Sequence, residues 1–104
     1  MARRLTICAT CDGPGVALAD ALRDRLAGWD VQMHACLSAC AEPVAVAVQA
    51  DGKATYLFAG LTADDADDVI AFAALFDAAP GGWIADARPA GRLRFCLKGR
   101  VPAL

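Results

Sequence analysis

Short apolar runs alternate with amphipathic stretches along this chain. Leu5-Thr6-Ile7 reads as a brief buried strand that ends at Cys8, and Asp12-Gly13-Pro14-Gly15 then breaks the chain and can open a helix. From Val16 to Leu26, the spacing of Leu18, Ala19, Leu22 and Leu26 makes one apolar stripe, with Asp20, Arg23, Asp24 and Arg25 turned away. That is the period of an amphipathic helix, stopped near Gly28. Val31 to Ala35 alternates as a second strand. A strand, a helix and a strand in succession predict a right-handed crossover with the two strands parallel. The ends of both strands then share one edge of the sheet.

Val44 to Val48 is a run of strand-forming residues, Asp51-Gly52 is a strong hairpin signal, and Thr55 to Phe58 supplies the returning strand. Thr62 fits a helix N-cap. Asp64, Asp65, Asp67 and Asp68 follow it where the helix dipole favours negative charge, and Val69, Phe72, Ala73 and Phe76 form a buried stripe. Pro80-Gly81-Gly82 ends this second helix. From Trp83 to Leu104 the chain is rich in arginine, proline and glycine, with no period beyond the short alternation of residues 93–97. Such a tail is expected to wrap the domain, with Trp83, Phe95 and Leu97 as anchors.

At 104 residues the chain suits one domain with a real core that needs no disulfide staples. Residues 1–82 carry the regular elements, and 83–104 pack on them as an irregular tail. The basic start is followed by too few apolar residues for a signal-peptide core, and no run approaches a membrane span. The expectation is a cytoplasmic protein without a membrane partner, in a compartment where paired cysteines serve as metal ligands or redox centres. A formal charge of -2 argues against nucleic acid as a partner.

The chemistry lies in the cysteines. Four of the five form two short pairs, Cys8-Ala-Thr-Cys11 and Cys36-Leu-Ser-Ala-Cys40, each after a strand. Parallel neighbouring strands bring the pairs together, and four soft thiolates select zinc, cuprous copper or an iron-sulfur cluster. His34 precedes Cys36 by two residues and alternates to the same face. It reads as a hydrogen-bonding neighbour of the site, although its imidazole can replace a thiolate on zinc or copper. Cys96, between Phe95 and Leu97, reads as packing, and Trp29 and Tyr56 as core or rim residues. A dithiol oxidoreductase using Cys8 and Cys11 is a further reading, because a C-x-x-C at a helix N-terminus can have a depressed thiol pKa. Against it stand the second pair, the absence of a Trp-Cys-Gly-Pro-Cys signature and the turn that delays the helix. No catalytic acid-base pair, phosphate loop or substrate pocket is evident, so the chain does not read as an enzyme.

The order strand-helix-strand-strand-strand-helix is that of a thioredoxin-like α/β fold, and the cysteine pattern makes the likeness specific. The chain resembles the thioredoxin-like two-iron, two-sulfur (2Fe-2S) ferredoxins, whose first two ligands follow the first strand and whose last two form a C-x-x-x-C pair after the second. In the related small subunit of respiratory NADH dehydrogenase the second pair likewise precedes a strand hairpin, as Cys36 to Cys40 here precede Pro43 to Val48. Nearly the whole chain is similar to a bacterial family described as predicted metal-binding proteins, through Cys8 to Cys11, Cys36 to Cys40, Gly52 to Phe58 and Arg100 to Leu104. Two departures concern the ferredoxin pattern: only Ala9 and Thr10 separate the first two cysteines, and Ser38 stands where glycine is common.

The resemblance implies that residues 1–82 are a thioredoxin-like metal-binding domain holding a 2Fe-2S cluster through Cys8, Cys11, Cys36 and Cys40. The short first spacing equally fits a four-thiolate zinc or copper site for metal handling. An electron carrier or accessory metalloprotein would have a redox protein partner, steered by charge. Backbone amides from Gly13, Gly15 and the first helix would tune the potential. The acidic group Asp64 to Asp68 and the basic group Arg88, Arg92, Arg94, Lys98 and Arg100 are the obvious patches, each with a simpler reading as helix cap and solvated or paired face. Many such ferredoxins are dimers, and the Val44 to Phe58 hairpin is the edge read as available for a homodimer.

Overall fold

The computed structural model describes residues 3–8, 15–26, 28–34 and 45–103. The elements in chain order are β1 (Arg3–Cys8), α1 (Gly15–Arg23), β2 (Asp30–His34), β3 (Val46–Ala50), β4 (Thr55–Phe58), α2 (Ala66–Ala78) and β5 (Leu97–Val101). Short 3-10 segments lie at Ala63–Asp65, Pro80–Gly82 and Arg88–Phe95. The strands form one sheet in the order β2-β1-β3-β4-β5. β1 and β2 are parallel, as a strand-helix-strand unit requires, and the other pairings are antiparallel. This is a mixed α/β, thioredoxin-like arrangement, with the tail contributing a fifth strand beyond the elements read from sequence.

Register explains which face is buried. Leu5 pairs with Val31 and Val48, Ile7 with Met33 and Val46, and Val46 and Val48 with Phe58 and Tyr56. Partners in register share a face, so these apolar residues line one side of the sheet. Leu18, Ala19 and Leu22 of α1 and Val69, Phe72, Ala73 and Phe76 of α2 join the same buried cluster, which places both helices on that side. The stripes expected in both helices are the ones buried. The opposite face is polar at Arg4, Asp30, Gln32 and Gln49, all exposed.

Tyr56 and the hairpin turn tie the sheet to the end of α2. The Tyr56 ring meets Phe72 edge-on at 5.0 Å between centroids, and Phe58 meets Phe72 at 4.9 Å. The buried Tyr56 hydroxyl donates to the Gly82 carbonyl at 2.8 Å and accepts from the Ile84 amide at 2.9 Å. The turn at Asp51-Gly52 closes with Lys53 N donating to Ala50 O, and the Lys53 ammonium reaches the carbonyls of Phe76, Asp77 and Ala79 at 2.9, 3.1 and 3.2 Å. Those carbonyls belong to the last turn of α2, where intrahelical partners run out and a cation is favoured. At the other end, Thr62 and Asp65 form a capping box, but around the 3-10 turn Ala63–Asp65 that leads into α2.

The tail is held by different residues from those its hydrophobicity singles out. Ile84, Ala90, Leu93 and Cys96 are buried, whereas Phe95 is 74 % exposed, Trp83 43 % and Leu97 36 %. A run of 3-10 turns has a period near three, so Ala90, Leu93 and Cys96 face inward together and Phe95 turns out. Gly91 (φ 61°) lies where an added Cβ would come within 2.9 Å of the Asp68 carboxyl carbon, and Arg92 N donates to that carboxylate. The Val44 to Phe58 hairpin is not an open edge. β3 pairs with β1 and β4 with β5, so the sheet's edges are β2 and β5.

Tyr56→Phe keeps the ring packing but strands a buried carbonyl and amide, and urea titration should show a loss of about 1–3 kcal/mol. Lys53→Met retains the alkyl stem while uncapping three carbonyls. An expected cost of about 1–2 kcal/mol is read from the same titration.

Candidate metal centre

The β1–β2 pairing builds the corner at which Cys8 ends its strand. Along the two strands, Arg4 is opposite Asp30, Thr6 opposite Gln32, and Cys8 opposite His34. Cys8 is fully buried, and so is the preceding Ile7, although strand alternation puts them on opposite faces. Both faces of β1 are therefore covered at this end, while Arg4 at the other end is exposed. Cys8 N donates to Ala45 O at 3.0 Å, which fixes the strand end against the start of the hairpin. His34 is exposed at the last position of β2 and shares the Cys8 face.

Of the four cysteines read as ligands, Cys8 is described, and Cys11, Cys36 and Cys40 lie outside the described residues. Gly13 also lies outside them, and α1 begins at Gly15. Among the described residues no group of three His, Cys, Asp or Glu side chains converges as a metal site. Cys96 is buried beside Leu93, in the packing position read for it. Among the described residues no helix is long and apolar enough to cross a membrane.

The charged patches are used largely within the fold. Asp65 is buried and accepts from Thr62 N at 2.8 Å and from Arg92 at 2.8 Å, and Arg92 also donates to Gly60 O. Asp67 pairs with Arg25 at 2.7 Å. Arg88 chelates Asp86, and its side-chain hydrogen bonds hold the Asp86 carboxyl down to about 2, with the Arg88 guanidinium raised in turn. The simpler reading of the acids, as helix cap and pairing face, accounts for Asp65, Asp67 and Asp68. What sequence reasoning missed is Lys53, whose sole signal was a cation beside a turn, and the distinct behaviour of Arg94 and Arg100.

The chain belongs to the family described as "Protein of unknown function (DUF1636)", whose model matches residues 5–103. Its fold is similar to that of a thioredoxin-like [2Fe-2S] ferredoxin from Aquifex aeolicus, with a TM-score of 0.55 and 14% sequence identity. The likeness covers 66% of this chain and 76% of that one, and at this identity it speaks for the fold. No match is found among the curated proteins.

Proposed function

We propose that this DUF1636 member is a thioredoxin-like ferredoxin-type protein that binds a 2Fe-2S cluster through Cys8, Cys11, Cys36 and Cys40, for electron transfer or as an accessory metalloprotein. The observation that carries the reading is the parallel pairing of β1 and β2, with Cys8 directly across from His34. From that corner Cys11 is three residues along one strand's exit and Cys36 two residues along the other's. Chain geometry limits those spans to at most about 11 Å and about 7 Å. Cys40 follows Cys36 at a chelating interval. Two pairs of thiolates are the donor set that two irons take, and the fold shared with a protein titled a [2Fe-2S] ferredoxin supports the choice.

Each residue has a definable task. The cluster, when bound, supplies a one-electron couple. Cys8, held by its strand and shielded from water, places one thiolate where the surroundings are of low dielectric and extra negative charge is disfavoured. The start of α1 at Gly15 directs backbone N–H groups out of its first turn, and such amides favour negatively charged sulfur. His34, exposed across from Cys8, faces the same corner. Its role here is that of a neighbour, with the four thiolates as ligands.

Protein purified without oxygen should be brown, should bleach with dithionite and should carry about two irons and two sulfides per chain. Cys11→Ser, Cys36→Ser and Cys40→Ser should each lose most of that content, whereas Cys96→Ser should retain it. A colourless protein with about one zinc, lost in the same variants, would replace the cluster with a metal-handling site. Disulfide reductase activity surviving both Cys36→Ser and Cys40→Ser would point instead to the dithiol chemistry of Cys8 and Cys11.

A further inference from the structure

Two arginines of the C-terminal segment depart from the ion-pairing of their neighbours. Arg88 and Arg92 meet Asp86 and Asp65, at 2.7 and 2.8 Å. Among the described residues Arg94 and Arg100 form no direct ion pair, although Arg94 acts on Asp86 at longer range, and each guanidinium lies over an aromatic ring. The Arg94 guanidinium lies 4.5 Å from the Phe95 ring centroid, and that of Arg100 lies 3.7 Å from Trp83 while donating to Ile84 O at 3.1 Å. Stacking of this kind orients a guanidinium without neutralising it.

Between them opens a cavity of about 70 Å³ with an almost wholly apolar lining. Tyr56, Phe58, Phe72, Ile84 and Leu97 are among its lining, and the two arginines, both exposed, form its charged rim. Beside Arg94 the surface stays apolar, with Phe95 74 % exposed. Small-molecule sites are typically about 300–1,000 Å³, so this cavity has the size of one side chain rather than of a metabolite. A concave floor favours a protruding group over a flat bilayer. The rim cations favour carboxylates beside that group. Apolar anchors seated in such pockets, ringed by charge, are how protein interfaces concentrate their energy.

We propose that this face receives an acidic segment of a partner protein, with one bulky apolar side chain seated in the cavity and flanking carboxylates on Arg94 and Arg100. Leu97, paired through Phe58 and Val46 to Ile7, is at the same end of the sheet as Cys8, three strand spacings from β1, which amounts to about 14 Å. A partner docked here sits toward the same end of the sheet, on the face opposite the Cys8 side chain. Its identity as a redox partner rests on the cluster reading, whereas the docking itself does not.

The test uses the full chain, labelled with nitrogen-15 and titrated with the capped peptide Glu-Asp-Leu-Glu-Asp. Amide shifts should concentrate at Tyr56, Ile84 and residues 94–101, with saturation in the millimolar range or below and weakening as salt rises. Replacing the peptide leucine by alanine should weaken binding about tenfold, the loss expected for an anchor of that size. Arg94→Glu should weaken it as much, and because the Arg94 side chain is exposed and makes no hydrogen bond among the described residues, the remaining spectrum should be unchanged. Phe95→Ser provides a second exposed variant with the same expectation. Equal binding of the leucine and alanine peptides would overturn the proposal. So would shifts centred on Arg3 and Arg4, no shift at about 10 mM peptide, or binding to phosphatidylserine vesicles without binding to the peptide.

Discussion

The parallel ladder between β1 and β2 is the constraint from which the rest of the molecule follows. It runs from Arg4 opposite Asp30 to Cys8 opposite His34, and α1 bridges its two strands. A parallel pair cannot be closed by a tight turn; it needs a crossover, and the crossover helix must lie on one face. That face is chosen by Leu5, Ile7, Val31 and Met33, whose side chains the register brings together. A slip of one residue would move Leu5 and Ile7 to the polar side, so burial and pairing fix one another. The same register sets Cys8 beside His34, and thereby decides which chain segments leave the sheet together.

A second level of organisation fastens the antiparallel half. β3 and β4 fill the middle of the sheet, and their turn reaches across to the end of α2 through Lys53. Tyr56 does the same from below, bonding Gly82 and Ile84 while its ring packs on Phe72. One strand thus stabilises the helix C-terminus, the following turn and the start of the tail. Gly82 is part of this junction: its φ is 70°, and an added Cβ would meet Lys53 and Phe76 at 2.9 Å. Glycine is required there by space as well as by conformation.

Period and punctuation made most of the fold legible in the sequence. The stripes of α1 and α2, the Asp51-Gly52 turn and the Thr62 cap all arise from contacts within a few residues, which is the range that sequence patterns encode. The tail was less legible because its order comes from distant partners. β5 contains Lys98, Gly99 and Arg100 and has every residue exposed, so no alternation marks it; its place is set by pairing with β4. Hydrophobicity nominated Phe95 and Trp83 as anchors, yet the 3-10 period turned Leu93 and Cys96 inward instead. Nothing local to residues 44–58 reveals that β1 and β5 flank the hairpin, so from sequence it reads as an edge. For the candidate site, Cys8 and His34 fall where the strand pattern put them, and Cys11, Cys36 and Cys40 lie outside the described residues.

Division of labour among the basic residues gives the tail two separable properties. Arg92 fastens it by joining Asp65, the Gly60 carbonyl and, through its own amide, Asp68. Arg94 and Arg100 are positioned by Phe95 and Trp83, so their charge is left to act outward. At the roughly 14 Å that separates β5 from β1, two unit charges would interact by about 0.3 kcal/mol in water. Salt with a screening length of about 8 Å reduces that further. A partner held by the arginine rim would therefore bind with nearly the same affinity before and after an electron moved. For a carrier that arrangement is useful, because neither redox state is trapped in the complex by charge. Tight coupling would instead need the rim cations within a few ångströms of the thiolates, and the sheet order, with β3 and β4 between β1 and β5, forbids it.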